Sequence, residues 1–136
     1  MVEISIKYLG DLRCEATHGP SGTVLLTDAP VDNEGRGESF SPTDLAATSL
    51  GTCMLTIMGI VARRHGVDLG ETTVKAVKHM SAEPPRRIAK LEIVFTIPLP
   101  GDHPQKKLLE AAAKGCPVHL SLHPDVVQDI RFDWVG

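Results

Sequence analysis

The sequence predicts an α+β fold in which most strands pair antiparallel. Three observations predict it. Two alternating segments at the start are separated only by the turn signal Gly10-Asp11, the mark of a β-hairpin. One long apolar segment, Ser41 to Gly66, carries helix start and stop signals at its two ends. Further alternating segments follow it and recur near the end, with helical patterns between them. The 136 residues suit one domain, and a single domain over residues 1–136 is expected.

The elements follow in order. "VEISIKYL" (Val2 to Leu9) and "LRCEATH" (Leu12 to His18) alternate and form the hairpin. "GPSG" (Gly19 to Gly22) makes the next turn, and "TVLLTDA" the third strand. "PVDNEGRGESF" (Pro30 to Phe40) is polar and glycine-rich, hence a loop. In the long segment, Ser41 suits the N-cap, Pro42 the first helical position, and Asp44 the third. That is a capping box with aspartate in the usual glutamate position. Gly66 is the natural C-terminal stop. The helix should run for about 24 residues, or about 36 Å.

"TTVKAVKHMSA" and "RRIAKLEIVFTIPL" read as two strands joined through Glu83-Pro84-Pro85. Asp102 is the expected cap of a helix in "HPQKKLLEAAAKG". Cys116-Pro117 opens a short helix, "PVHLSL", and "VVQDIRFDWV" closes the chain as a strand. The long helix is apolar nearly all round and must be covered on all sides. One sheet covers one face, so an intertwined homodimer is expected.

Composition narrows the function. Lys+Arg number 14 and Asp+Glu 17, with no basic stripe, which argues against nucleic acid as a partner. "MVEISIKYLG" lacks the basic and apolar regions of a signal peptide. The longest apolar tract, Cys53 to Ala62, carries Thr56 and is too short to span a bilayer. A cytoplasmic protein without a membrane partner is expected. Three widely spaced cysteines, Cys14, Cys53 and Cys116, do not look like a secreted disulfide framework.

Cys53 lies beyond the first turn of its helix, where the helix dipole no longer favours a thiolate. By itself it fits either a small core residue or a thiol activated from elsewhere in the fold. Cys116 follows Gly115 and precedes Pro117. Its sulfur can stand at the N-cap of the short helix, among free N–H groups, or it can be a buried connector. Cys116, His119 and His123 form C-x2-H-x3-H, with His79 and His103 elsewhere. Pro124 and the lack of a second cysteine pair count against zinc, and no metal or cofactor is expected. A G-x-S-x-G elbow and a glycine-rich phosphate loop are both missing.

Three segments in order carry a family resemblance: "SPTDLAATSLGTCMLTIMGIVARRHG", "EPPRRIAKLEIVFTIP" and "CPVHLSL". The chain resembles the OsmC/Ohr family of cysteine-based peroxidases, with the second segment similar to its YhfA-like branch. The resemblance implies an α+β intertwined homodimer, with antiparallel sheets around a long central helix that bears the cysteine. It implies reduction of organic hydroperoxides, and hydrogen peroxide in some members, as oxidative stress defence. Cys53 would become a sulfenic acid and Cys116 would condense with it to a disulfide. An external dithiol, a lipoylated protein in part of the family, would restore both thiols.

The resemblance also implies an arginine partner for Cys53. The Ohr-branch position, after the second strand, falls in "HGPSGT" and holds none. The OsmC-branch position, in the loop before the helix, points to Arg36, and the YhfA-like branch points to Arg86. The family glutamate position holds Thr43, and Asp44 one residue on is the acidic candidate. These departures keep a second expectation open: a non-catalytic dimer of the same fold, binding an apolar ligand or sensing redox state.

Overall fold

The computed structural model describes residues 1–136. They divide into two compact units, Met1–Ala46 and Ala47–Gly136.

In the first unit, β1 (Ile4–Gly10), β2 (Arg13–His18) and β3 (Val24–Asp28) form an antiparallel sheet in that order. Asp11 and Leu12 both take positive φ at the hairpin tip, the backbone twist that two-residue hairpin turns require. Ile4, Ile6 and Tyr8 stand across from His18, Ala16 and Cys14, and Leu25 lies beyond Ala16. Period-2 alternation puts all of them on one face, where Ile4, Ile6, Tyr8 and Leu25 are exposed.

After β3 the chain turns through a short 3-10 segment, Val31–Asn33, and reaches α1 (Pro42–Arg64). The expected capping box is present. The Ser41 N–H donates to Asp44 Oδ2 at 2.8 Å, and the Asp44 N–H donates to Ser41 Oγ at 3.1 Å. At the other end Gly66 takes φ +66°. There the Val67 N–H reaches Ala62 O at 2.9 Å and the Gly66 N–H reaches Arg63 O at 3.2 Å. These two bonds make a Schellman stop.

The second unit is built on the sheet β4 (Thr73–Met80), β5 (Ile88–Ile97) and β6 (Val127–Trp134). β5 is central and alternates strictly. Leu91, Ile93, Phe95 and Ile97 are buried. They join Leu50, Met54, Met58 and Ala62 of α1, with Leu109 and Ala113 of α2 (Lys106–Lys114), in one core. β4 pairs with β5 antiparallel, but β6 pairs with β5 parallel. Mostly antiparallel pairing therefore has this one exception. The chain between β5 and β6 crosses over through α2 and α3 (Pro117–Ser121), as a parallel pair requires.

Two local expectations are corrected. Asp102 does not cap α2, which begins after Gln105 with no side-chain cap. Just before the helix, His103 Nδ1 accepts the Gln105 N–H at 3.1 Å. The apolar tract Cys53 to Ala62 is part of a helix long and apolar enough, by length and composition alone, to cross a membrane. Here its inner residues are buried in a protein core.

Candidate active site

The second unit brings Cys53 and Cys116 together. Cys53 lies on the flank of α1 beside the buried Met54 and is half-buried, whereas Cys116 is fully buried. The Cys53 thiol is near enough to act on the Cys116 proton, and neither cysteine is in a disulfide. Cys116 is the N-cap of α3, as its position between Gly115 and Pro117 suggested. Its sulfur accepts the His119 N–H at 3.2 Å.

Four influences act on the Cys116 thiol. Burial, the largest, raises its pKa above the ordinary thiol value. The His119 N–H acts against burial, the Cys53 thiol raises it further, and the Val118 N–H again lowers it. The net effect is upward. At neutral pH the thiol is therefore the ground state, with two backbone donors already placed for the thiolate.

His119 is held at three points. Besides its N–H on Cys116, its ring Nδ1 is 2.5 Å from Gln128 Oε1, and its carbonyl accepts Gln128 Nε2 at 3.1 Å. With Nε2 of Gln128 spent on the carbonyl, Oε1 must accept, so the ring carries its proton on Nδ1. Gln128 has no place among the sequence-derived candidates. The signal was present: Gln128 shares the sheet face of Ile130, Phe132 and Trp134, opposite Leu91 of β5. A polar residue in an apolar phase needs partners, and it finds them on His119.

The other candidates lie elsewhere. Arg36 is exposed in the first unit, in the loop between β3 and α1. That loop is tied down at Asp28. Its buried Oδ2 accepts the Glu38 N–H at 3.0 Å and faces Arg13 Nη2 at 3.5 Å, while Arg13 also pairs with Glu38. Beside Arg36, Gly35 passes so close to Ala29 that a Cβ would stand 1.8 Å from the Ala29 carbonyl oxygen. Only glycine fits there. Asp44 sits in the capping box, also in the first unit. Arg86 is exposed in the second unit, beside Ser81, Ala82, Glu83 and Pro84.

The C-x2-H-x3-H histidines do not converge with Cys116 as ligands. His119 is engaged by Gln128, and His123 Nδ1 accepts the Asp125 N–H at 3.1 Å. His79 faces Glu92 at 3.0 Å, and His103 stacks on Trp134.

Residues 35–131 match a family model described as OsmC-like protein. The chain belongs to the OsmC-like family. Among solved structures, a Psychrobacter arcticus protein named for osmotic stress induction and a detoxification response is 45% identical, with a TM-score of 0.90, covering 97% of this chain and 96% of that one. An OsmC organic hydroperoxide resistance protein from Legionella pneumophila is 16% identical at a TM-score of 0.77, covering 98% and 96%. A second organic hydroperoxide resistance protein, from Elizabethkingia anophelis, is 16% identical at 0.77, covering 99% and 96%. The last two share the OsmC fold. Comparison with curated proteins gave no match.

Proposed function

We propose that this OsmC-like protein is a thiol-dependent peroxidase that reduces organic hydroperoxides, with hydrogen peroxide as a second substrate, in oxidative stress defence. The observation that carries this reading is that the fold brings half-buried Cys53 next to buried Cys116, near enough for one thiol to act on the other. Disulfide formation between them requires the two Cα atoms within about 7 Å of each other.

The Cys53 thiolate attacks the terminal oxygen of the hydroperoxide. The O–O bond breaks, the alkoxide leaves and takes a proton as the alcohol, and Cys53 is left as a sulfenic acid. Cys116 gives up its proton and attacks the Cys53 sulfur. The S–S bond forms, the S–O bond breaks, and hydroxide leaves as water on taking a proton. An external dithiol, a lipoylated protein being one such, then supplies two electrons, returning both thiols and ending as a disulfide. Arg36 is the first candidate for the cation that holds Cys53 as a thiolate, with Arg86 second and Asp44 in support.

The working form in this proposal is a homodimer. The exposed Ile4, Ile6, Tyr8 and Leu25 face is apolar surface of a kind that a second copy covers. In this proposal the 136 residues act as a single domain, and the family match over residues 35–131 begins in the first unit and continues into the second. Three free thiols suit a reducing, cytoplasmic setting.

The test is direct. Purified protein with a dithiol reductant should consume cumene hydroperoxide; if it consumes neither that nor hydrogen peroxide, the reading is wrong. A second reading is a non-catalytic dimer that binds an apolar ligand. It is favoured by an open cleft of about 350 Å³ between α1 and β4, lined by Thr48, Gly51, Thr52, Leu55, Val74 and Ala76. A Cys53 that alkylates like a free thiol of pKa about 8.5 supports that alternative.

A further inference from the structure

We propose that Gln128 is a positioning residue for the second chemical step: it clamps His119 so that the His119 backbone N–H stays on the Cys116 sulfur. The inference rests on the reading of Cys116 as the thiol that resolves the Cys53 sulfenic acid.

The geometry carries it. α3 has five residues, too few to hold a helical turn in water by its own hydrogen bonds. Leu122 is already extended, and Pro124 follows shortly after. The turn must therefore be fixed from outside. Gln128 fixes it through two atoms of one residue, the ring Nδ1 and the carbonyl oxygen of His119. The third polar group of His119, its N–H, is the one that reaches Cys116 Sγ. Gln128 itself is held in the ladder of β6 against Leu91 of the buried central strand. The clamp thus transmits the rigidity of the sheet to a sulfur on a short, otherwise weakly held turn.

The chemistry that needs this is the loss of the Cys116 proton and attack on the Cys53 sulfur. Negative charge gathers on Cys116 before the S–S bond forms. A donor held at 3.2 Å meets that charge without first having to be organised. A turn free to unwind would withdraw the donor and move the sulfur together. In this arrangement the His119 Nδ1–H acts as the anchor that Gln128 Oε1 holds.

The experiment follows one equivalent of hydroperoxide through a single turnover. Quenched samples with dimedone give the rate at which the Cys53 sulfenic acid appears and the rate at which it converts to the disulfide. Gln128→Met keeps the length of the side chain and removes both polar atoms. It should slow conversion roughly three- to tenfold, the loss expected for neutral hydrogen bonds, while the first step keeps its wild-type rate. His119→Asn places an amide N–H where the ring Nδ1–H stands and should resolve at close to the wild-type rate. His119→Leu should be as slow as Gln128→Met.

Imidazole ¹⁵N shifts give a second, independent readout: the Nδ1–H form in wild type, lost in Gln128→Met. Wild-type conversion in Gln128→Met overturns the clamp, and so does an His119→Asn as slow as His119→Leu, which would make the ring itself the active group. If the wild-type protein forms the sulfenic acid but never the Cys53–Cys116 disulfide, the underlying reading of Cys116 fails instead.

Discussion

Cys53 in the middle of α1 and Cys116 at the N-cap of α3 are brought together, the thiol of one acting on the thiol of the other. Neither element places the pair alone. α1 carries Cys53 on the flank of the face that buries Leu50, Met54 and Met58. The crossover from β5 to β6 returns Cys116 to the same core.

The first prediction separates the two thiols. Cys53→Ser should abolish hydroperoxide consumption. Cys116→Ser should still react once, leaving a sulfenic acid that dimedone traps and mass spectrometry detects as a single adduct. Loss of the first oxidation in Cys116→Ser would mean that Cys116 has a different role.

The second concerns the activating cation. Arg36→Ala should slow alkylation of Cys53 at pH 7 several-fold, because a thiolate that loses its cation partner is less populated. Arg86→Ala should leave that rate within about twofold. The reverse pattern would assign the role to Arg86. Pseudo-first-order labelling across a pH series reads both.

The third tests the ends of α1. Asp44→Ala removes one half of the capping box and should cost about 1 kcal/mol. Gly66→Ala puts a Cβ on a residue at φ +66° and should cost about 1 kcal/mol. In a chain of 136 residues each should lower Tm by roughly 3–5 °C. Calorimetric or dichroism melts at one fixed protein concentration check this.

The fourth is a dependence on pH. Lys90 at 2.8 Å and then His79 hold the Glu92 carboxyl at a pKa of about 2, below its ordinary 4.5. A carboxylate whose folded pKa is depressed stabilises the fold above its unfolded pKa. That stability should fade as pH falls from about 5 towards 2. Glu92→Gln should flatten this part of a urea-midpoint profile, and added salt should weaken the effect, because the group is partly exposed.

Much of the fold is legible in local chemistry. Ser41, Asp44 and Gly66 declare both ends of α1, because capping bonds form within a few residues of sequence. The alternation of Leu91, Ile93 and Phe95 marks β5 and its buried face in the same way. What remains hidden depends on contacts distant in sequence. The parallel pairing of β6 follows from how α2 and α3 pack, which no period in "VVQDIRFDWV" encodes. Asp102 looked like a cap because it is acidic and precedes a helix, but α2 begins only after Gln105 and takes no side-chain cap.

The site divides along the same line. The N-cap position of Cys116 could be read from Gly115 and Pro117. Its contact with Cys53 could be expected only from a family resemblance, since the local setting of Cys53 is equally that of a core residue. Gln128 was visible as a polar residue out of phase, but its partner His119 belongs to a different element. His119 itself invited a metal reading, because a C-x2-H-x3-H spacing says nothing about which hydrogen bonds occupy the rings.

The full burial of Cys116 beside a half-buried Cys53 gives the proposed cycle a direction. A bulky reductant meeting the disulfide can reach only one of its sulfurs. The mixed disulfide would therefore form on Cys53, and Cys116 would depart as the leaving group onto the N–H groups of His119 and Val118. The same asymmetry assigns the hazard. Over-oxidation by excess peroxide would fall on Cys53, and Cys116 would outlast it as an intact thiol inside a spent enzyme.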